Sequence, residues 1–409
     1  MSQNKDIIIN SVVRWDQAMA GSSLAIAKEL SKTHRVFFVD RAFSIKDLFE
    51  NYENFSLRKR LKAILFRVKP FIEIQTGFSN FVVATPGLTL PINFLPPGVI
   101  FDFFNSYNNL IVKLCIKRMV KQYEVKEYIY FNYFNPVILP TLNLRNAKKL
   151  MNIYYVTHDI RLSKYMAKHG ERAEKRLFPK TDLVLVSSKH QFKRLFNQNI
   201  NMHYFPNAVD YRFFENIRNK NITKPYDLIN IGDTKVIMFC GYLSEIRIDY
   251  KLLKLVCDYF PQNLIVIIGK YEEQDLINHK LDTINNLIIL GNRRFESIPN
   301  YIKCASVTII PYLCNELNKS VYPLKINEYL AMGKPVVTTH FSEDLESFSD
   351  VVYIASTYEL FLSYLEQAMK QDTEDRMLAR LKVASINSWI NRVRHLEGII
   401  QNFLEKNNP

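Results

Sequence analysis

The sequence predicts an α/β protein of two similar β/α/β domains facing one another across a cleft. Three observations carry this. The chain has 409 residues, more than one core of ordinary size holds. Continuous apolar runs alternate with helical periodicity in both halves, which suits strands buried on both faces of parallel sheets. Between the halves lies a polar crossing, PNAVDYRFFENIRNKNITKPYDLINIGD from Pro206 to Asp233, after which the rhythm restarts.

In order, DIIINSVV reads as a strand, GSSLAIAKELSK from Gly21 as a helix, and HRVFFVD as a second strand. Such a βαβ unit requires parallel pairing with a right-handed crossover. EYIYFNY, LMNIYYVTHD and DLVLVSS extend the first array. The segment Phe81–Phe104, interrupted by four prolines and two glycines, is expected to form short strands and loops rather than a membrane span. In the second half KVIMFCGYL, NLIVIIGK and NLIILGN read as strands and IDYKLLKLVCDYF as a helix; SIPNYIKCA and SVTIIPY follow, and the whole reads as another β/α array. Gly241, Gly269 and Gly291 each follow an apolar strand, a rim where a glycine lets a ligand approach the backbone. A plain turn is the alternative at each. The last segment, INSWINRVRHLEGIIQNFLEK, is a long helix.

Bulk properties narrow the function classes. Apolar residues make 48% and charged residues 23% of the chain, an ordinary globular balance. Five scattered cysteines without C-x-x-C spacing argue against a disulfide framework or zinc site and fit a reducing compartment. The N-terminus lacks a basic region followed by an apolar core, so no signal peptide is expected. The net charge of +14 calls for nucleic acid, an anionic membrane or an anionic substrate, unless the protein is simply basic. No zinc-finger spacing, RNP-like strand or recognition helix supports nucleic acid, and no nucleic-acid partner is expected.

The stretch SVYPLKINEYLAMGKPVVTTH, Ser320–His340, is the most informative. Pro323 suits a helix start, Gly333 the residue past its end, and Pro335 blocks continuation. The helix N-terminus offers free amides and a positive dipole end, an anion site. Lys325 adds a cation where a helix ordinarily prefers acids. Glu328, three residues on, shares its face and can accept hydrogen bonds from two adjacent hydroxyls, as on a ribose. A surface Lys–Glu pair is the equal alternative.

PLKINEYLAMGKPVV resembles the donor-binding helix of bacterial family-four-type glycosyltransferases (glycosyl transferases group 1) with the GT-B fold. YYVTHD at Tyr154–Asp159, FPNAVD at Phe205–Asp210, FCGYLSEIR from Phe239 and the stretch from Leu290 to Tyr312 resemble further family segments in the same order. The resemblance covers most of the second half well and the first half loosely. It implies two Rossmann-like domains: an acceptor-side domain over 1–208, a nucleotide-sugar domain over 209–385, and a C-terminal helix, 386–409, packing back on the first. It further implies that Glu328 holds the ribose, that Lys325 and the helix N-terminus hold the diphosphate, and that Arg247 stands in for a phosphate-binding lysine. Gly241, Gly269, Asn292, Arg293, Ser320, Val321 and Leu324 would complete the donor site. His158 would lie near the transferred sugar, and Gly21 and Ser22 would form an acceptor or phosphate loop. Ser320 replaces a second family glutamate, Tyr242 a loop arginine, and Gly21-Ser22 a glycine pair.

The expected reaction transfers a sugar from a nucleotide donor, UDP-linked, to a lipid-linked or growing surface glycan. The nearest match to a metal-binding D-x-D is Asp372-Thr373-Glu374, read as a surface turn, so no metal or other cofactor is expected. An inverting enzyme would use Asp159 or Asp16 as base; a retaining one needs none. The family leans towards retention, and the stereochemistry stays open. SLRKRLKAILFRVK, Ser56–Lys69, has six basic residues and no acid, with Leu57, Leu61, Ile64, Leu65 and Val68 on one face. Such a helix suggests docking to an anionic membrane through Arg58–Lys69, and KLCIKRMVKQ adds Lys113, Lys117 and Lys121. The expected location is the cytoplasm, at the inner membrane face. A non-catalytic protein that binds nucleotide sugar or membrane is the alternative. A dinucleotide oxidoreductase would want G-x-G-x-x-G after the first strand, where only Gly21 stands.

Overall fold

The structure is a computed structural model. It describes all residues except 1–3, 17–20, 51–54, 67, 75–80, 164, 200, 221–223 and 408–409, and the side chains of 50, 55, 56, 59 and 407. It divides into two compact units. One comprises Met1–Ser187, Gln191–Phe205 and Val393–Pro409; the other comprises Ser188–His190 and Pro206–Arg392.

The first unit is built on an eight-stranded sheet. Its strands are β1 (Asp6–Ser11), β2 (Arg35–Val39), β3 (Phe71–Ile74), β4 (Phe81–Ala84), β5 (Glu127–Tyr133), β6 (Lys148–Val156), β7 (Leu183–Val186) and β8 (Met202–Tyr204). They run in the order β3-β4-β2-β1-β5-β6-β7-β8. Every pairing is parallel except β3 with β4. β1 lies inside the sheet, with Ile8 opposite Phe37 on one side and Tyr130 on the other. Its Ile7, Ile8 and Ile9 are buried, which explains a run without polar alternation.

Helix Val99–Gln122 packs Val112, Ile116 and Met119 into a core with Ile8, Phe37 and Tyr130. This corrects the reading of Phe81–Phe104: β4 and a loop are present, but the last six residues open this 24-residue helix. The prolines that signal loop end at Pro97, and the helix begins after Gly98. The C-terminal helix, Trp389–Asn407, places Glu397 at 3.2 Å from His34, within the first unit.

The second unit holds β9 (Val236–Cys240), β10 (Leu264–Ile268), β11 (Leu287–Ile289), β12 (Val307–Ile310), β13 (Val336–Thr339) and β14 (Tyr353–Ala355). The order is β11-β10-β9-β12-β13-β14, all parallel. Successive strands step outward from β9 to β11, then the chain returns to the other side of β9 with β12. Such a reversal opens a crevice at the strands' carboxyl ends, where open α/β sheets bind ligands. Among the described residues no helix is long and apolar enough to cross a membrane.

Candidate nucleotide site at the β9–β12 reversal

The helix predicted from Pro323 spans Leu324–Ala331, with Pro323 as its N-cap residue. Gly333 ends it with a φ of +71°, a conformation that costs any residue with a Cβ, and its N–H donates to Leu330 at 2.9 Å. Ile326, Tyr329 and Leu330 are fully buried and anchor the helix in the core. The Tyr329 hydroxyl accepts a hydrogen bond of 2.8 Å from the Cys240 amide, tying the helix to the end of β9.

Lys325 and Glu328 lie on one face, as their spacing requires, with Nζ 2.8 Å from Oε2. Glu328 is 5% exposed, so this is no solvated surface pair. Burial works to lower the Lys325 pKa, but the charge and hydrogen bond of Glu328 outweigh it and hold the ammonium above its ordinary value.

Arg247 follows β9. Its amide donates to Ser244, and its carbonyl accepts from Leu313 N at 2.8 Å and Asn318 Nδ2 at 2.9 Å. The backbone is thus pinned to the segment after β12. Its guanidinium has no hydrogen bond or ion pair among the described residues. Tyr312, immediately beyond β12, reports how these charges meet. Burial raises its hydroxyl pKa; Arg247 and Lys325 pull it down, and Glu328 pushes it up. All three charges therefore lie within electrostatic reach of Tyr312, beside the reversal. Sequence reasoning missed Tyr312, whose signal was only an aromatic residue at a strand end.

At two of the three rim glycines, Gly269 and Gly241, the protein itself occupies the place of a Cβ. A Cβ on Gly269, whose φ is +147°, would lie 1.9 Å from the Gly241 carbonyl oxygen. The Gly241 amide donates to Ile268, and the Gly269 amide donates to Gly291 at 3.0 Å. Backbone packed on backbone thus excludes a side chain at Gly269. At Gly241 the space for a Cβ is filled by the Phe239 ring.

The other donor candidates divide. Asn292 is exposed, and Val321 and Leu324 are half-buried. Arg293 is engaged elsewhere: Nε is 3.0 Å from the Tyr301 hydroxyl and Nη2 3.3 Å from Asp227. Ser320 is fully buried; its hydroxyl donates to Leu317 at 2.7 Å, and its carbonyl accepts from Ser188 Oγ. A hydroxyl so used caps a turn.

In the first unit, Gly21 precedes helix Ser22–Leu30 and its carbonyl accepts from Leu24 and Ala25. His158 is half-buried, with Nδ1 3.0 Å from the Thr157 hydroxyl and its ring against Phe134. Asp159 is 1% exposed and gripped by Arg161, whose Nη2 is 2.6 Å away, with Arg194 at 3.5 Å. Burial acts to raise its pKa, but the Arg161 hydrogen bonds and the Arg194 charge bring it to about 2. A carboxylate so stabilised is a poor proton acceptor near neutrality, which argues against the base role expected for it.

Asp16 pairs with Arg60 at 2.9 Å. Arg60 also pairs with Asp40 at 2.9 Å and is 3% exposed. It therefore cannot serve on a membrane-facing stripe, a correction to the reading of Arg58–Lys69. Lys59's side chain and Arg67 lie outside the described residues. Leu57 and Ile64 face the core, whereas Leu65 and Val68 are exposed. Asp372, the first residue of the D-x-D-like run, pairs with Arg380 at 2.7 Å. Among the described residues no three His, Cys, Asp or Glu side chains are grouped to hold a metal ion.

Comparison with known proteins fits this geometry. Residues 234–355, which include Arg247 and the Lys325–Glu328 helix, match the family Glycosyl transferases group 1. The chain is 25% identical over 239 residues to TuaH of Bacillus subtilis (strain 168), whose name assigns it to teichuronic acid biosynthesis as a glycosyltransferase. That alignment covers 56% of this chain and 59% of TuaH. The fold matches sucrose-phosphate synthase from Thermosynechococcus elongatus at a TM-score of 0.65 and 12% identity, over 98% of this chain and 100% of that one. It matches Anabaena HepE, solved with UDP and glucose, at 0.62 and 14%, over 98% and 100%. At such identities these two likenesses establish architecture alone. Residues 234–355 are therefore a glycosyl transferases group 1 domain, set in a chain with the two-domain α/β fold of GT-B glycosyltransferases.

Proposed function

We propose that the protein transfers a sugar from a nucleotide-sugar donor, UDP-linked, to a lipid-linked or growing surface polysaccharide. The observation that carries this is the convergence of the uncommitted Arg247 guanidinium, the Lys325 ammonium and the Glu328 carboxylate beside the β9–β12 reversal. Breaking the glycosidic C–O bond passes through an oxocarbenium-like state while negative charge grows on the departing diphosphate. Lys325, Arg247 and the free amides of helix Leu324–Ala331 supply the compensating charge at fixed positions, which is metal-independent electrostatic catalysis. Glu328 accepts the ribose hydroxyls. The UDP in the HepE structure supports the donor nucleotide, and the name of TuaH supports a surface-polysaccharide acceptor. On this reading the protein works in the cytoplasm at the inner face of the membrane.

A second reading, nucleotide-sugar binding without turnover, is favoured by the ion pairing of both candidate bases, Asp16 and Asp159. Melting curves with UDP and other nucleoside diphosphates test the donor site: a rise of several degrees with UDP is expected, and no rise with any would sink it. UDP release from a panel of UDP-sugars in the presence of acceptor lipid separates the two readings.

A further inference from the structure

Helix Val99–Gln122 presents to solvent a face that none of the described residues covers. Val99 is 84% exposed, Phe103 69% and Leu110 49%, with Ile100 and Tyr107 beside them. Side chains this apolar, grouped rather than scattered, mark a surface that meets a partner. The same face continues as Lys117, Arg118 and Lys121, all exposed. At 100° per residue, Val99, Phe103, Leu110, Lys117 and Lys121 fall within about 40° of one another. One stripe thus changes from apolar to cationic along a single helix. The helix's one acid, Asp102, is paired with Arg172 and Arg176.

The neighbouring helix, Phe55–Phe66, extends the surface. An apolar cleft of about 210 Å³ lies between the two, lined by Leu65 on one side and Tyr107, Ile111 and Leu114 on the other. Leu65 is 47% exposed, and Phe66, at the end of that helix, is 74% exposed.

We infer that this surface docks on a bilayer containing anionic lipid, with the Val99–Leu110 end among the acyl chains and Lys117–Lys121 among the headgroups. Charge decides the occupant. A second copy related by a two-fold axis would set cations on cations if the helices ran parallel, and apolar groups on cations if antiparallel. Nucleic acid would match the cationic half and leave the aromatic half in water. An anionic bilayer matches both halves at once, since its headgroups attract Lys and Arg and its interior takes up Phe and Leu. This inference deepens the reading of a lipid-linked acceptor and rests on that reading only for its purpose; the surface itself is defined without the nucleotide site.

The test is co-sedimentation of the full chain with vesicles of phosphatidylcholine alone or mixed with phosphatidylglycerol. The wild type is expected to sediment with the mixed vesicles. Phe103→Ser/Leu110→Ser should weaken binding at least ten-fold at any salt concentration. Lys117→Glu/Lys121→Glu should weaken it at least ten-fold at low salt, with the difference fading as salt rises. Unchanged melting temperatures show that the variants are folded, as exposed positions allow. Wild-type protein that ignores both vesicles, or a Phe103→Ser/Leu110→Ser variant that binds normally, overturns the inference. So does light scattering that finds a soluble dimer which this variant dissociates. No nucleotide is present, so vesicle binding without any response to nucleoside diphosphates would leave the surface standing and remove the donor reading.

Discussion

Replacing Glu328 by glutamine keeps the side chain's volume and removes its charge. Lys325 then loses the partner 2.8 Å away and stays partly buried, its own side chain 29% exposed. At an effective dielectric of about 20, the direct attraction at that distance is about 6 kcal/mol. Desolvation of a carboxylate only 7% exposed cancels much of it, and Lys325's contact with water screens more. The net loss comes to about 2 kcal/mol, or about 4–8 °C in the melting of a unit this size. The site reading adds a second expectation. An anion at the helix N-terminus gives the orphaned ammonium a new partner, so pyrophosphate should stabilise Glu328→Gln more than wild type. The advantage of UDP over pyrophosphate should shrink, because the ribose has lost its acceptor. Differential scanning fluorimetry with both ligands reads all three quantities. Equal pyrophosphate shifts in the two proteins would refute the placement of Lys325 in a phosphate site, whatever the change in stability.

Other expectations follow from the geometry. Gly269→Ala drives a Cβ to 1.9 Å from the Gly241 carbonyl in a backbone region that excludes side chains. Chemical denaturation should show a loss of about 3 kcal/mol or more, and a variant of wild-type stability would show that the rim is not packed backbone to backbone. Glu174, 3% exposed, accepts a hydrogen bond of 2.8 Å from Tyr154, and burial raises its pKa to about 7. The fold thus favours its protonated form: this stabilisation is complete below the ordinary carboxyl value and fades as pH rises through 7. Intrinsic-rate-corrected hydrogen exchange in helix Ala167–Leu177 should speed up between pH 5 and 8, and Glu174→Gln should flatten the trend. Arg60→Met leaves Asp40 buried without its cation at 2.9 Å and should cost about 3 kcal/mol in urea unfolding. A Met variant of native stability would show that Asp40 is protonated in the folded state.

The strands were legible because parallel strands buried on both faces need unbroken apolar runs, and DIIIN, RVFFV, VIMFC and LIVII have no competing reading. The helix Leu324–Ala331 was legible for a related reason: a proline, a glycine and the spacing of Lys325 and Glu328 all act within one short stretch of chain. What was not legible depends on partners distant in sequence. Nothing in RKRLK separates Arg60 from its neighbours until Asp16 and Asp40 are brought beneath it. Asp159 stands at a strand end as a base would, yet Arg194 approaches from 35 positions away. Arg293 was equally ambiguous until Asp227 and Tyr301 fixed it. At Gly269 the residue was noted, but the Gly241 backbone that fills the place of its Cβ lies 28 positions away in sequence. The start of helix Val99–Gln122 was obscured because its exposed face is apolar, against the amphipathic rule that helix reading relies on.

The hydrogen bond from the Cys240 amide to Tyr329 has a kinetic consequence. It joins the helix carrying Lys325 and Glu328 to the strand leading to Gly241, with the tyrosine ring wholly inside the core. The backbone at the start of this helix is therefore held to the end of β9 before any ligand arrives. A nucleotide meeting such a surface has little protein disorder to remove, so most of its contact energy remains as affinity. On the proposed reading its association would be governed by diffusion and by the attraction of Arg247 and Lys325 for the diphosphate, and its rate should fall steeply as ionic strength rises.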